Sequence, residues 1–177
     1  MGHLHTEPGQ HDYTVGAYLV KFDGNEPKVL LHLHKAANKL LPLGGHIELN
    51  ETPWQAVARE LKEESGYLLN QTKVLQPKQR INTLSDIIVH PQPVVVTDQD
   101  VSSDHFHTDL AYAFVVTGDP QSSPDKGESK DLRWLTKSEL EKLMVAEIFP
   151  NTIEIYAFIL DKCLSEWEAV SPDQYDI

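Results

Sequence analysis

The sequence predicts a single α/β domain, a mixed sheet with helices on both sides, and three observations predict it. Short β-prone stretches recur along the chain, each bounded by turn clusters. Two capping boxes open helices among and after those stretches. No repeat, composition shift or linker divides the 177 residues, a length that suits one domain.

Taken in order, Met1 to His11 hold three histidines, a proline and two glycines without apolar period and read as a loose tail over residues 1-11, leaving 12-177 as the domain. Tyr13 to Phe22 is β-prone, and the turn cluster Asp23-Gly24-Asn25 leads into a second strand, Lys28 to His34. Asn38 to Asn50 is a loop containing Pro42, Gly44 and Gly45. Thr52-Pro53-Trp54-Gln55 is a capping box with proline at the first helical position, and Gly66 is the expected stop. Trp54, Val57, Ala58 and Leu61 recur at helical spacing, so one face of this helix is apolar. Further strands are expected at Ile81 to His90, Val94 to Thr97, Thr108 to Thr117 and Leu132 to Leu135, with a polar loop from Pro120 to Lys130. Thr136-Lys137-Ser138-Glu139 opens a short helix, and an amphipathic helix is expected from Thr152 to about Trp167, with Tyr156, Ile159, Leu160, Cys163 and Leu164 inward.

Composition excludes several functions. A lone cysteine, Cys163, forbids an intrachain disulfide framework and favours a reducing, cytoplasmic setting. No run approaches 18 apolar residues and the N-terminus lacks a signal-peptide pattern, so no membrane association is expected. The net charge of −12 argues against an electrostatic nucleic-acid binder. Much of that charge lies late in the chain, with nine acids against two bases from Ser138 onward.

The chemistry is concentrated in Gly45-x5-Glu51-x7-Arg59-Glu60-Leu61-x-Glu63-Glu64-x-Gly66-Tyr67. On a helix, Glu60, Glu63 and Glu64 fall within an arc of about 100°. Three carboxylates so placed repel one another unless Arg59, Lys62 or a bound cation offsets them. Oxygen ligands of this kind suit Mg²⁺ or Mn²⁺, which keep waters and bridge phosphates. The glycine loop Leu43-Gly44-Gly45-His46 permits close backbone approach. Glutamates alone would ordinarily describe a solvated acidic face.

The complete spacing resembles the box of the Nudix family, G-x5-E-x7-R-E-U-x-E-E-x-G-U, where U is a bulky apolar residue. Seven fixed residues match without a gap, and at about 7% usage per position the chance frequency is on the order of 10⁻⁸ per window. The U positions are Leu61 and Tyr67, the latter bulkier than usual, and Leu43 stands where the family commonly has proline, with Pro42 one residue earlier. The box covers Gly45 to Tyr67, and the flanking elements agree with a Nudix-type α-β-α sandwich.

The resemblance implies a metal-dependent hydrolase of a nucleoside diphosphate linked to another moiety. Water would attack one phosphorus of the pyrophosphate. It assigns Glu60 and Glu64 as principal metal ligands, Glu63 as a further ligand, and the Gly44 carbonyl as another donor. Arg59 and Glu51 would orient the cluster. A further acid, used by many members as base or ligand, falls on the loop from Asp119 to Asp131, where Glu128 is preferred over Asp125. The family often forms a homodimer. Its subclass markers are absent: Asn82 and Thr83 replace the proline of ADP-ribose hydrolases, and Ser85 the tyrosine of dinucleoside polyphosphate hydrolases. A small nucleotide-type substrate remains, a nucleoside triphosphate or a nucleotide-sugar-type diphosphate, with the triphosphate preferred. Two other readings share the fold: a non-catalytic nucleotide-sensing module, which often lacks a box glutamate, and an isoprenoid diphosphate isomerase, which would need a Cys/Glu pair in the pocket.

Three His-x-His pairs complete the candidates: His3/His5, His32/His34 and His105/His107. On a strand, positions i and i+2 face the same side, so each pair could offer two zinc ligands or contact substrate. His32 and His34 enter the glycine loop and are expected at substrate, and His105 and His107 at the cleft rim. Tyr18, Phe106 and Tyr112 are candidates for stacking on a base, against the commoner core role.

Overall fold

The computed structural model describes residues 6–175. Nine strands form one mixed sheet: β1 (His11–Asp23), β2 (Glu26–His34), β3 (Lys39–Leu41), β4 (Leu43–His46), β5 (Thr72–Gln76), β6 (Val95–Ser102), β7 (His105–Val116), β8 (Leu132–Thr136) and β9 (Glu168–Val170). The path runs β3-β2-β1-β7-β5-β9, with β4 paired to β1, β6 to β7 and β8 to β2. The central pair, β1 with β7, is parallel from His11 opposite Phe106 to Val20 opposite Val115. The other strand pairs are antiparallel.

Alternation along the strands divides the interior into two layers. Val15, Ala17 and Leu19 of β1, with Tyr112 and Phe114 of β7, pack against Trp54, Val57 and Leu61 of helix α1 (Pro53–Ser65). Tyr18 and Val20, with Ala111 and Ala113, face the other way and pack against Tyr156, Ile159 and Cys163. Those three belong to α3 (Pro150–Phe158) and the π-helical segment that continues it, Ile159–Cys163. A short α2 (Lys137–Leu140) follows β8. The α-β-α sandwich implied by the resemblance is therefore present.

Helix α1 begins and ends where its sequence dictates. Thr52 Oγ1 accepts the Gln55 N–H, and the Gln55 side chain accepts the Thr52 N–H. Such a cap is worth about 1 kcal/mol. Trp54 is fully buried and stacks on Phe114, so its truncation to alanine would cost roughly 3–5 kcal/mol. Gly66 ends the helix at φ 76°, donating its N–H to the Lys62 carbonyl. Tyr67, the bulky box residue, is buried, with its hydroxyl donating to the Gly118 carbonyl.

Some boundaries differ from expectation. Ile81 to His90 is not a strand: its one ladder contact is an isolated bridge between Leu84 and Ile87, and Ile81, Leu84, Ile87 and Ile88 are exposed. Apolar β-branched residues make a strand only with a neighbouring ladder, and Pro77, Pro91 and Pro93 bracket this segment. The last helix starts two residues early, with Pro150 in its first turn. His11 already belongs to β1, and the preceding turn is held by the Gly9 N–H on the Asp104 carbonyl. His3 and His5 lie outside the described residues. Among those residues, no helix is long and apolar enough to cross a membrane.

Candidate active site

The segment from Asn38 to Asn50, expected as a loop, instead contains β3 and β4, and its two glycines lie in β4 beside α1. Gly44 and Gly45 lie opposite Gly16 and Val15 of β1, and neither position admits a side chain. A Cβ on Gly44, which has φ 146°, would lie 2.1 Å from the Val15 carbonyl oxygen, and one on Gly45 would lie 2.3 Å from Glu60 Oε1. The Gly44 N–H instead donates to Glu64 Oε2 at 2.7 Å. The loop thus brings backbone against two glutamates of α1.

Arg59 organises the cluster from its rim. Its Nε and Nη2 donate to both oxygens of Glu51, at 3.1 and 2.7 Å. Nη2 also donates to the His46 carbonyl at 2.9 Å, and Nη1 to Glu60 Oε1 at 2.7 Å and Glu63 Oε2 at 3.2 Å. One guanidinium therefore joins the end of β4 and three box glutamates.

Glu64 lies deeper, with 5% of its surface exposed. Burial, foremost, and the charges of Glu60, Glu128 and Glu63 push its carboxyl up to about 9, against the pull of the Gly44 N–H. Burial likewise raises Glu60, although Arg59 opposes it. His32 is buried with Nδ1 3.6 Å from Glu64 Oε1, and burial together with His34 lowers it to about 4. His34 is lowered by burial as well. A cavity of about 210 Å³ opens here, lined by His32, His34, Lys35, Glu64, Glu128 and Ser129.

Glu128 reaches this cavity because its loop is docked. The Gln121 and Ser122 N–H groups donate to the Gly66 carbonyl, and the Asp125 N–H to the Glu63 carbonyl at 2.7 Å. Lys35 Nζ donates to the carbonyls of Gly127 and Glu128. The loop thus seats on the end of α1 that carries Glu63 and Glu64. Lys35 and Ser129 also line the cavity but carried no sequence signal, since nothing local marks a lysine after a strand as facing a cleft.

Other candidates lie elsewhere. His105 and His107 do not line this cavity; they are buried beside Asp12 and His46 on three adjoining strands. Tyr18 packs edge-on to Tyr156 and Tyr112 edge-on to Trp54, both inside the core, while Phe106 stacks on His11. Cys163 is buried in the layer opposite α1, remote from the glutamates.

With this geometry, similarity to known proteins is decisive. The NUDIX domain family model matches residues 11–156. The chain belongs to the Nudix family. Among solved structures, a NUDIX-family hydrolase from Clostridium perfringens is 38% identical, covering 86% of this chain and 97% of that one at a TM-score of 0.71. The Ap4A hydrolase of C. elegans shares the fold at 14% identity and TM-score 0.61, over 86% of this chain and 98% of that one. The NUDIX domain of Shewanella oneidensis NrtR, solved with ADP ribose, does so at 16% identity and TM-score 0.61, over 85% and 89%. No curated protein matches the sequence. The chain is a Nudix pyrophosphohydrolase in class, and it retains each fixed residue of the box.

Proposed function

We propose that this Nudix hydrolase cleaves a pyrophosphate bond in a nucleoside diphosphate linked to another moiety, with a small nucleoside triphosphate as its preferred substrate, and depends on Mg²⁺ or Mn²⁺. One observation carries the reading: Glu64 of the box and Glu128 of the docked loop line the same cavity, with Glu60 and Glu63 alongside.

The donor set fits a hard divalent cation. Burial and neighbouring carboxylates disfavour charge on Glu64, Arg59 offsets only Glu51, Glu60 and Glu63, and an oxygen-seeking ion is the natural complement. Glu60, Glu63, Glu64 and the Gly44 carbonyl would hold it, where it would polarise phosphoryl oxygens and acidify bound water.

The chain's own groups do the rest. Arg59 and Glu51 hold the glutamates and the His46 carbonyl in register. Glu128, which lines the same cavity, would accept the proton of the attacking water. His32, neutral at physiological pH because of its burial, can hydrogen-bond a phosphate oxygen without repelling a cation. His34 lines the same wall, and Lys35 supplies positive charge toward the phosphates.

Phosphate release from a nucleotide panel, coupled to inorganic pyrophosphatase for triphosphates and to alkaline phosphatase for dinucleotides and nucleotide sugars, and run with Mg²⁺ or Mn²⁺, tests the proposal. Hydrolysis of a triphosphate ahead of dinucleotides and nucleotide sugars is the expected result. Tight nucleotide binding without turnover across the panel would make the protein a sensor instead.

A further inference from the structure

A second group of metal-ligating side chains lies outside the hydrolytic cavity. Asp12 of β1, His46 at the end of β4, and His105 and His107 of β7 each bring one donor atom within 4.8 Å of the others. Pairing explains the convergence. His107 is the partner of Asp12 in the parallel ladder, and His46 is the partner of Thr14, two residues further along the same face of β1. Asp12 and Thr14 share parity with Tyr18, so the cluster faces away from α1.

Three of the four residues are buried and His46 is partly so. Asp12 and His105 are 2% exposed and His107 8%. Thr6 Oγ1 donates to Asp12 Oδ1 at 2.8 Å, while Oδ2 points at the imidazoles, 3.7 Å from His105 Nδ1 and 3.9 Å from His46 Nε2. His105 Nε2 and His107 Nε2 are 2.8 Å apart. A carboxylate anchored by a neighbour and turned toward imidazole nitrogens is a common arrangement around a bound metal.

We propose that Asp12, His46, His105 and His107 form a zinc site, distinct from the hydrolytic centre, that ties β1, β4 and β7 together. Three imidazoles and one carboxylate are a zinc donor set, whereas Mg²⁺ prefers oxygen alone. Zn–N bonds of about 2.0–2.1 Å in a tetrahedron place the donors roughly 3.4 Å apart, so shifts of about 1 Å would close the set. Each ligand sits on a strand, and His46 directly follows the two glycines and offers its carbonyl to Arg59. A metal here would fix the strand that carries the glycine loop. The two sites would then sort metals by chemistry, imidazole for zinc and carboxylate for the hydrolytic ion.

The test uses tag-free full-length protein, stripped with a chelator and titrated with Co²⁺ alone, then with Zn²⁺. Expected are visible d–d bands of tetrahedral intensity at equimolar Co²⁺, bleached by Zn²⁺ and unaffected by millimolar Mg²⁺. Glu64→Gln keeps the bands. Asp12→Asn and His107→Ala, each verified as folded by circular dichroism, bind Zn²⁺ at least about 10–100-fold more weakly. Absence of such bands in the wild-type chain overturns the site whatever the variants do. So do bands that survive both Asp12→Asn and His107→Ala, or that vanish in Glu64→Gln.

Discussion

Gly45 and Glu60 share a space that one methyl group would fill: a Cβ on the glycine would stand 2.3 Å from Glu60 Oε1 and 2.7 Å from its Cδ. Arg59 Nη1 holds that same oxygen at 2.7 Å. The carboxylate therefore cannot yield without leaving its partner. Gly45→Ala should lower kcat/KM by roughly 10–100-fold and raise the Mg²⁺ requirement, with a circular dichroism spectrum like wild type. Unchanged turnover at limiting Mg²⁺ would show that the Glu60 position is not set by this contact.

Glu60→Gln and Glu64→Gln keep shape and remove charge. Each should reduce turnover by about 10²-fold or more while leaving the fold intact. Either purified variant turning over at close to the wild-type rate under saturating Mn²⁺ would remove that glutamate from the ligand set.

Gly66 has φ 76°, and a Cβ there would lie 1.9 Å from the Ser122 carbonyl oxygen. Gly66→Ala should cost about 2 kcal/mol or more in urea unfolding. It should also slow turnover, because Gln121 and Ser122 dock on the Gly66 carbonyl and their loop carries Glu128. Stability within 0.5 kcal/mol of wild type, roughly the scatter of neutral surface changes, would contradict the close approach.

The Glu51 carboxyl reports on acid stability. Partial burial pushes it up, but the Arg59 hydrogen bonds, the Glu48 N–H and the Arg59 charge outweigh that and hold it below the ordinary 4.5. A lowered folded value means stability that is present above the unfolded value and lost as pH falls through the folded one. Glu51→Gln should therefore lower Tm at pH 7 and flatten the fall in Tm below about pH 4.5. A parallel downward shift at every pH would assign the loss to packing alone.

Cys163 is fully buried, and burial, with the Glu166 charge, pushes its thiol up to about 11. In native protein it should resist a disulfide reagent at pH 8 and react fully in urea. Rapid native-state labelling would place it in an open site, as an isomerase with a Cys/Glu pair would require.

What the sequence made legible was local. The α1 caps and the glutamate arc depend on residues a few positions apart, and the structure places them as that spacing implies, whereas the two glycines expected in a loop are paired in β4. Glu128 was reachable only through the family resemblance, because its position depends on hydrogen bonds from a loop to the far end of α1. The grouping of Asp12 with His46, His105 and His107 was hidden for the same reason. An i, i+2 pattern shows that two histidines share a face, but it does not reveal which strand lies beside them. Ile81 to His90 failed in the opposite sense, having strand-like residues and no ladder.

The parallel pairing of β1 with β7 also has a cost in time. His11 meets Phe106 across about half of the chain's length, and β4, which carries Gly44 and Gly45, is laid against β1. Such non-local contacts must close a long loop before they return any energy. A nascent chain that has exposed α1 therefore carries the box glutamates without the central strand pair behind them. Catalytic competence should arrive late in synthesis, once β7 has left the ribosome and the loop bearing Glu128 can find its seat.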